Sequence, residues 1–279
     1  MFKTHYDHMR PGPTPERVLA ICKAVAAQPC TQDEIRDRIY LELGVNSKPG
    51  EEFRNSILAA EELGLIELKD GVYTLVVDHT HIATSEAFRR TAAKHAFANK
   101  ESTFFKVSKW YVCNNEHVLF SGNWEDRAAL ANQSGIDKIT DNDMLGWRFW
   151  ASFLGLGYIS GKELIPNMYV RVRDILATDF AASFPFDEEI PADEFMRWLW
   201  HRLPEAVMED RSINMALSNA LRTLRDMGEV IPTTQMDAIN MYLYSIPEDP
   251  TNKVTHFIVR RRSVNELDTG QCSDGAACY

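Results

Sequence analysis

Residues 51–76 read EEFRNSILAAEELGLIELKDGVYTLV, and this stretch decides the fold class. Its first half repeats apolar side chains at the spacing of one helix face: Phe53, Ile57, Ala60 and Leu63. Gly64 follows the last of them, and glycine adopts the left-handed backbone that ends a helix without a Cβ penalty. The segment 69–71 then predicts a turn and 72–76 an alternating strand. The stretch therefore predicts a helix, a glycine stop and a β-hairpin.

Two shorter helices are predicted upstream of this stretch. Pro15 suits the first helical position of one, and Thr31 with Glu34 forms a capping-box pattern at the start of the other. Three helices followed by two strands resemble the winged-helix superfamily over residues 13–76, with residues 31–35 where the second helix of that fold begins. The resemblance implies a small domain whose third helix faces DNA or a protein partner.

The same pattern recurs twice, which predicts an internal repeat. The second copy consists of Trp150, Phe153, Leu156 and Gly157, a strand at 158–160, a turn at Gly161-Lys162 and a strand at 168–172. The third consists of Leu221, Leu224, Met227 and Gly228, the pair Val230-Ile231 and a strand at 241–244. The helix that carries the second copy, 143–156, is rich in aromatic residues, which is typical of a core or of a seam between domains.

These patterns predict a mainly α-helical chain with small β-hairpin wings, made of two to three tandem winged-helix units. The expected domains are an N-terminal winged helix (1–80), a central aromatic-rich unit (81–184), a C-terminal winged helix (185–265) and a disordered tail (266–279). Cys272 and Cys278 lie in that tail, and the odd number of five cysteines favours reduced thiols.

The charge distribution limits the kind of nucleic-acid binding that is possible. The formal net charge is −10, whereas a protein that coats DNA is usually basic. Residues 1–80 contain nine Lys or Arg and thirteen Asp or Glu, residues 81–184 contain twelve and eleven, and residues 185–279 contain nine and sixteen. DNA binding must therefore be local or absent. The sequence has no apolar run of membrane-span length and no secretory signal pattern, so we expect a cytoplasmic protein without a membrane partner.

The predicted helix 213–227 carries the polar residues best suited to DNA. Asn214, Ser218, Arg222 and Arg225 follow one another at helical spacing beside the leucine stripe, and Asn and Arg pair with base edges. Arg260, Arg261 and Arg262 end a predicted strand and form a positive cluster suited to phosphates. The alternative interpretation is a solvated polar face and a charged strand end.

The helix within 51–63 offers less for DNA recognition. Only Arg54 and Asn55 suit a phosphate or a base, because four glutamates on the same helix would be repelled by the DNA backbone. A structural or protein-facing role for this helix is the alternative.

No motif for catalysis or metal binding is present. The sequence lacks a glycine-rich phosphate loop, a nucleophile elbow, a zinc-protease motif and paired cysteines at zinc spacing. We therefore expect no catalytic residues, no metal and no cofactor, and a protein that is not an enzyme.

Two functions remain open. The first is a non-catalytic DNA-binding or accessory protein of a bacterial nucleic-acid transaction, with double-stranded DNA and protein subunits as partners. The second is an adaptor without direct DNA binding, similar in layout to the tandem winged-helix subunits that clamp the kleisin of chromosome-organising complexes. The chain as a whole also resembles accessory proteins of bacterial DNA-modification and phage-defence islands, including those for 7-deazaguanine insertion.

Overall fold

The structure is a computed structural model that describes residues 1–3, 9–39, 50–136, 138–208, 212–236, 238–246, 249 and 252–261. It is mainly α-helical with small antiparallel strand pairs, which confirms the predicted fold class. The predicted tail 266–279, with Cys272 and Cys278, lies outside the described residues. Among the helices that are described, none is long and apolar enough to cross a membrane.

The N-terminal third contains three helices and a hairpin: α1 (Pro15–Ala27), α2 (Gln32–Ile39), α3 (Glu51–Glu62), β1 (Ile66–Lys69) and β2 (Val72–Leu75). The predicted capping box is present, because the backbone N–H of Glu34 donates to Thr31 Oγ1 at 3.3 Å and that of Thr31 donates to Glu34 Oε2 at 2.7 Å. Cys30 exchanges two backbone hydrogen bonds with Tyr73, at 3.2 and 2.8 Å. Cys30 therefore pairs with the second edge of β2 as an isolated β-bridge, in the place of a third strand.

The middle third holds five helices and a second hairpin: α4 (Ser85–Ala96), α5 (Thr103–Cys113), α6 (His117–Phe120), α7 (Trp124–Gln133), α8 (Asp141–Phe153), β3 (Gly157–Ser160) and β4 (Glu163–Pro166). The strand predicted at 168–172 is wrong. The register pairs Ser160 with Glu163, so the hairpin closes across a two-residue turn and ends at Pro166. Val172 is buried in the next helix, since packing overrides the strand preference of its branched side chain.

The C-terminal third alternates helices and strands: α9 (Tyr169–Asp179), β5 (Glu189–Pro191), α10 (Ala192–Arg202), α11 (Met215–Asp226), β6 (Val230–Thr233), β7 (Met241–Tyr242), β8 (Lys253–Val254) and β9 (His256–Val259). The strand predicted at 241–244 does not pair with β6. Instead β6 pairs with β9 in a sheet of order β5-β9-β6, and β7 and β8 pair with each other in the connection between them.

The two terminal thirds share one order of elements. In each, a helix is followed by a short strand or a single strand-like residue, then by two helices and two paired strands. The last of these strands lies in the middle of the sheet. In the C-terminal third, the β7–β8 pair is inserted between the two paired strands. In the C-terminal third the first helix of this series is α9, which packs against α11. Contacts therefore cross the domain boundary predicted at residue 184.

Helices α3, α8 and α11, which belong to the three copies of the predicted repeat, end in the same way. The left-handed glycines that follow these three helices are Gly64, Gly155 and Gly228, with φ of 62°, 84° and 71°. In each case the residue after the glycine donates its N–H to the carbonyl oxygen of the residue five positions earlier: Leu65 to Ala60, Leu156 to Ala151 and Glu229 to Leu224, at 2.9 to 3.0 Å. Gly155 therefore holds the place predicted for Gly157, which begins β3 instead. The second copy of the predicted repeat is therefore aligned two residues late in the sequence-based prediction.

Helix α8 is the central packing element. Trp147 and Trp150 are fully buried, and the indole Nε1 of Trp150 donates to the carbonyl oxygen of Pro13 at 2.6 Å. The backbone N–H of Met9 donates to Asp143 Oδ1 at 2.7 Å. The N-terminal arm is therefore held on α8 by bonds that span more than 130 residues of sequence.

Candidate nucleic-acid interface

The polar residue at the start of α11 is part of the protein interior. Asn214 is buried and caps the helix, because its Oδ1 accepts from the backbone N–H of Leu217 at 2.9 Å. Its Nδ2 donates to the carbonyl oxygen of Ala206 at 2.7 Å. Both ends of the amide are satisfied within the chain. The predicted presentation of Asn214 to DNA is therefore wrong.

The next two predicted residues on α11 are covered by the connection between β6 and β9. Ser218 is buried, and its Oγ accepts from the backbone N–H of Tyr244 at 2.8 Å. Arg222 is buried too, donating to the Tyr244 carbonyl at 2.6 Å and to Asp249 at 3.2 Å. Arg225 shares Asp249 at 2.5 Å and remains one-third exposed. The expectation of an open polar face is wrong for Ser218 and Arg222, and DNA contact by Arg225 stays a prediction.

The arginines that end β9 separate from one another. Arg260 forms an ion pair with Asp187 at 3.3 Å, and both side chains are about half exposed. The exposed Arg261 places its guanidinium 5.8 Å from the centroid of the Phe186 ring. Arg262 lies outside the described residues. DNA contact by Arg260 and Arg261 stays a prediction.

On α3, Arg54 is exposed and Asn55 is half-buried. DNA contact by these two residues stays a prediction. The glutamates around them are largely neutralised by the N-terminal segment. Ion pairs join Arg10 to Glu51, Arg17 to Glu52 at 2.8 Å, and the amino terminus to Glu62 at 2.7 Å. The repulsion expected from this helix is therefore weaker than its sequence suggests, but the same contacts cover part of its face.

A different region of the surface combines a cleft with cationic side chains. The cleft has a volume of about 960 Å³ and lies between the residues that follow β2, helices α4 and α9, and the end of α10. Its charged and imidazole-bearing residues are Asp78, His81, Arg90, Lys94, His95, Arg171, Asp174, Asp179 and Arg202. A side arm of about 480 Å³ shares Phe97, Ala98 and Pro204 with the cleft and extends toward α5. The arm is further lined by Lys100, Phe105, Lys109, Trp200, His201 and Val207.

Two of the three aspartates in the cleft form ion pairs with arginines. Asp174 receives both Nε and Nη2 of Arg89, at 2.7 and 2.8 Å, and Nε of Arg90 at 3.2 Å. Asp179 receives Nε of Arg202 at 2.8 Å. These pairings are charge-assisted and hold the carboxylates in place. They also prevent the aspartates from neutralising the lysines nearby.

Three lysines therefore remain available along the cleft and its arm. Lys94, Lys100 and Lys109 are exposed, and none of them forms an ion pair with a carboxylate in the part of the chain that the structure describes. Six Lys/Arg side chains and three aspartates line the cleft and the arm together, an excess of three positive charges. The C-terminal ends of α4 and α10 lower this excess by about half a charge each. The region is positive within a chain whose net charge is −10.

Arg171 connects the cleft to the interior. Its guanidinium lies 4.7 Å from the centroid of the Phe97 ring, and its Nε donates to Oε1 of Glu205 at 3.1 Å. Complete burial raises the pKa of the Glu205 carboxyl. Partial burial, together with the charge on Lys94, lowers the pKa of His95, so its ring carries no charge at neutral pH. Lysines and arginines therefore supply the positive potential of the cleft.

Sequence reasoning missed this region because its cations come from different elements. Lys94 belongs to α4, Lys100 to the following turn and Lys109 to α5. No local motif joins them, and each alone is an ordinary surface lysine. The sequence offered only a coarser signal. Of the three predicted segments, only 81–184 contains more Lys and Arg than Asp and Glu.

Metal ligands and reactive thiols are not gathered in the part of this region that the structure describes. Within the described ranges, no group of three or more His, Cys, Asp or Glu residues is placed to hold a metal ion. Cys22 and Cys30 are buried, and burial raises the pKa of the Cys22 thiol to about 12 and that of Cys113 to about 11. Thiols with such pKa values are protonated at neutral pH and are poor nucleophiles.

Comparison with known proteins gives one match. No curated protein and no solved structure shows significant similarity to the chain. A family model described as DpdG-like matches residues 9–238, which is more than half of the 279 residues. The match agrees with the resemblance to accessory proteins of DNA-modification islands. The chain therefore belongs to the DpdG-like family, which relates it to DNA modification as an accessory protein.

Proposed function

We propose that this protein is a non-catalytic accessory factor of DNA modification that binds double-stranded DNA through the cleft and its side arm, both of which are lined by lysines. The observation that carries the proposal is the set Lys94, Lys100 and Lys109, which are exposed and lack carboxylate partners among the described residues. Lysines that neutralise phosphates release condensed counterions, and this supplies sequence-independent affinity for DNA. An accessory factor that serves many sites needs affinity of this kind.

The order of elements supports the interpretation that both terminal thirds are winged-helix units. Three helices and a hairpin, with a short strand beside the second hairpin strand, describe residues 15–75 and, with an insertion, residues 169–259. The third helix of each unit is then α3 or α11. In many proteins of this class such a helix enters the major groove.

Each of these helices is partly covered here. The connection between β6 and β9 covers the polar side of α11 through Tyr244 and Asp249. Arg10, which precedes α1, and Arg17 of α1 cover part of α3 through their ion pairs with its glutamates. A positive region elsewhere is therefore better placed to hold the phosphates, and the cleft provides it.

Binding of the purified protein to a labelled random duplex across a salt series tests the proposal. The decisive variant replaces Lys94, Lys100 and Lys109 with Gln. A matched control replaces Lys23, Lys162 and Lys253, which are exposed residues outside the cleft, so the net charge falls by the same amount. We expect the cleft variant to lose most of the affinity and the control to keep it.

Equal losses in both variants would show that net charge matters and the cleft does not. If the wild-type protein fails to bind duplex even at low salt, DNA binding itself is excluded.

A second candidate function is a protein-binding adaptor, and one observation favours it. Met236, Ile239 and Tyr242 lie near the β7–β8 pair and are 94%, 66% and 57% exposed. Exposed apolar groups of this size mark protein contacts more often than chance. Replacing these three with Ser should release a co-purifying protein subunit while leaving DNA binding unchanged. Retention of the subunit would argue against this surface.

A further inference from the structure

The side arm of the cleft differs from the cleft in its lining. Two lysines, Lys100 and Lys109, stand with the rings of Phe97, Phe105 and Trp200 around a volume of about 480 Å³. None of the lining residues that the structure describes carries a carboxylate. The arm is therefore both aromatic and positive, whereas the cleft mixes both signs of charge.

The aromatic residues have distinct positions in the arm. Phe97 and Phe105 are buried and form its floor, while Trp200 is half-buried and presents part of its ring. The Nε1 of Trp200 is buried and has no hydrogen-bond partner within the described ranges. An indole N–H without a partner costs free energy.

We propose that this arm receives one unpaired nucleotide of DNA, with its base against the ring of Trp200 and its phosphates near Lys100 and Lys109. Aromatic side chains stack on any base, and cations beside them hold the backbone. Pockets that bind small molecules have volumes of about 300–1,000 Å³, and the volume of the arm lies within that range. The inference rests on the proposed binding of duplex DNA in the cleft.

The junction of the arm with the cleft explains how both could be filled at once. Phe97, Ala98 and Pro204 line both spaces. A duplex backbone that follows Lys94 along the cleft therefore passes the entrance of the arm. A nucleotide displaced from the stack at that point can enter the arm without leaving the strand, at a cost that is lowest where the base is already unpaired.

The test compares two labelled duplexes of equal length, one fully paired and one with a single unpaired 2-aminopurine nucleotide at its centre. We expect the wild-type protein to bind the second duplex about ten-fold more tightly and to quench the 2-aminopurine fluorescence on binding, as stacking on an indole does. Trp200→Ala should abolish both the preference and the quenching without changing the affinity for the paired duplex. Trp200→Phe, which keeps a ring, should retain part of both.

Lys109→Gln provides a second measurement that does not depend on the folding of the Trp200 variants, because Lys109 is exposed. It should lower the preference for the unpaired nucleotide more than it lowers binding to the paired duplex. Equal binding of the two duplexes by the wild-type protein would overturn the inference and leave the proposed function standing. Absence of binding to either duplex would overturn both.

Discussion

The Nε of Arg171 lies 3.1 Å from Oε1 of Glu205, and this pair is enclosed between α9 and the turn that follows α10. The carboxylate is fully buried, and its second oxygen has no partner among the described residues. Burial raises the pKa of Glu205 above its ordinary value of 4.5. The pair therefore contributes differently to stability at different pH values.

We expect Glu205→Gln to stabilise the protein increasingly as pH rises. Between pH 4.5 and the raised pKa of the folded state, the unfolded chain releases the Glu205 proton more readily than the native state, so the native state binds more protons and its stability falls with rising pH. Glutamine removes this dependence and still offers an oxygen to Arg171. Thermal unfolding of both proteins between pH 5 and pH 8 measures the difference. A difference in Tm that stays constant over this range, as we expect for the exposed control Glu125→Gln, would contradict the prediction.

Arg222→Ala should destabilise the fold by about 2–4 kcal/mol, because it leaves the Tyr244 carbonyl without its buried donor and removes one of the two arginines that bind Asp249. Arg197→Ala removes an exposed ion pair with Asp193 and should cost less than about 1 kcal/mol. Urea unfolding of both variants tests this. If Arg222→Ala were as stable as Arg197→Ala, the side chain would have to be free, and its predicted role in DNA contact would be restored.

Gly146→Ala should destabilise the protein by about 1–3 kcal/mol through overpacking. A Cβ at residue 146 would lie 1.8 Å from the carbonyl oxygen of Met9, so α8 and the N-terminal arm would have to separate. Gly50→Ala is the control, since nothing lies within 4 Å of its Cβ position. Urea unfolding should show a lower free energy of unfolding for Gly146→Ala and not for Gly50→Ala. Equal stability of the two variants would mean that the arm does not rest on α8 in solution.

Each lysine of the cleft should contribute separately to the salt dependence of DNA binding. Lys94→Gln is expected to reduce the slope of log K against log salt by about 0.9, the value for one phosphate contact in duplex DNA. Fluorescence anisotropy between 50 and 200 mM salt gives this slope. Lys23→Gln, on the exposed side of α1, should leave it unchanged. A slope that responds equally to both substitutions would place the phosphates outside the cleft.

Much of the secondary structure could be predicted from the sequence, because its causes are local. The stripe that ends at Leu63, the left-handed Gly64 and the Thr31–Glu34 capping box act over a few residues, and all three are present. The hairpin turn at 69–71 is equally local. Where the prediction erred, at Val172, a residue that favours strands was drawn into a helix by burial.

The candidate site could not be predicted in this way, because exposure and ion pairing depend on residues far apart in sequence. Helical spacing placed Arg222 beside an apolar stripe, but only the tertiary structure shows that Asp249 and Tyr244 cover it. Lys94 and Lys109 are similar to any other lysines in the sequence. They become part of one positive surface because the fold brings α4, α5 and α10 together and pairs the neighbouring aspartates with arginines. The sequence by itself thus determined which helices and turns form, through interactions within one element. The tertiary structure alone decided which charges remain open to a ligand.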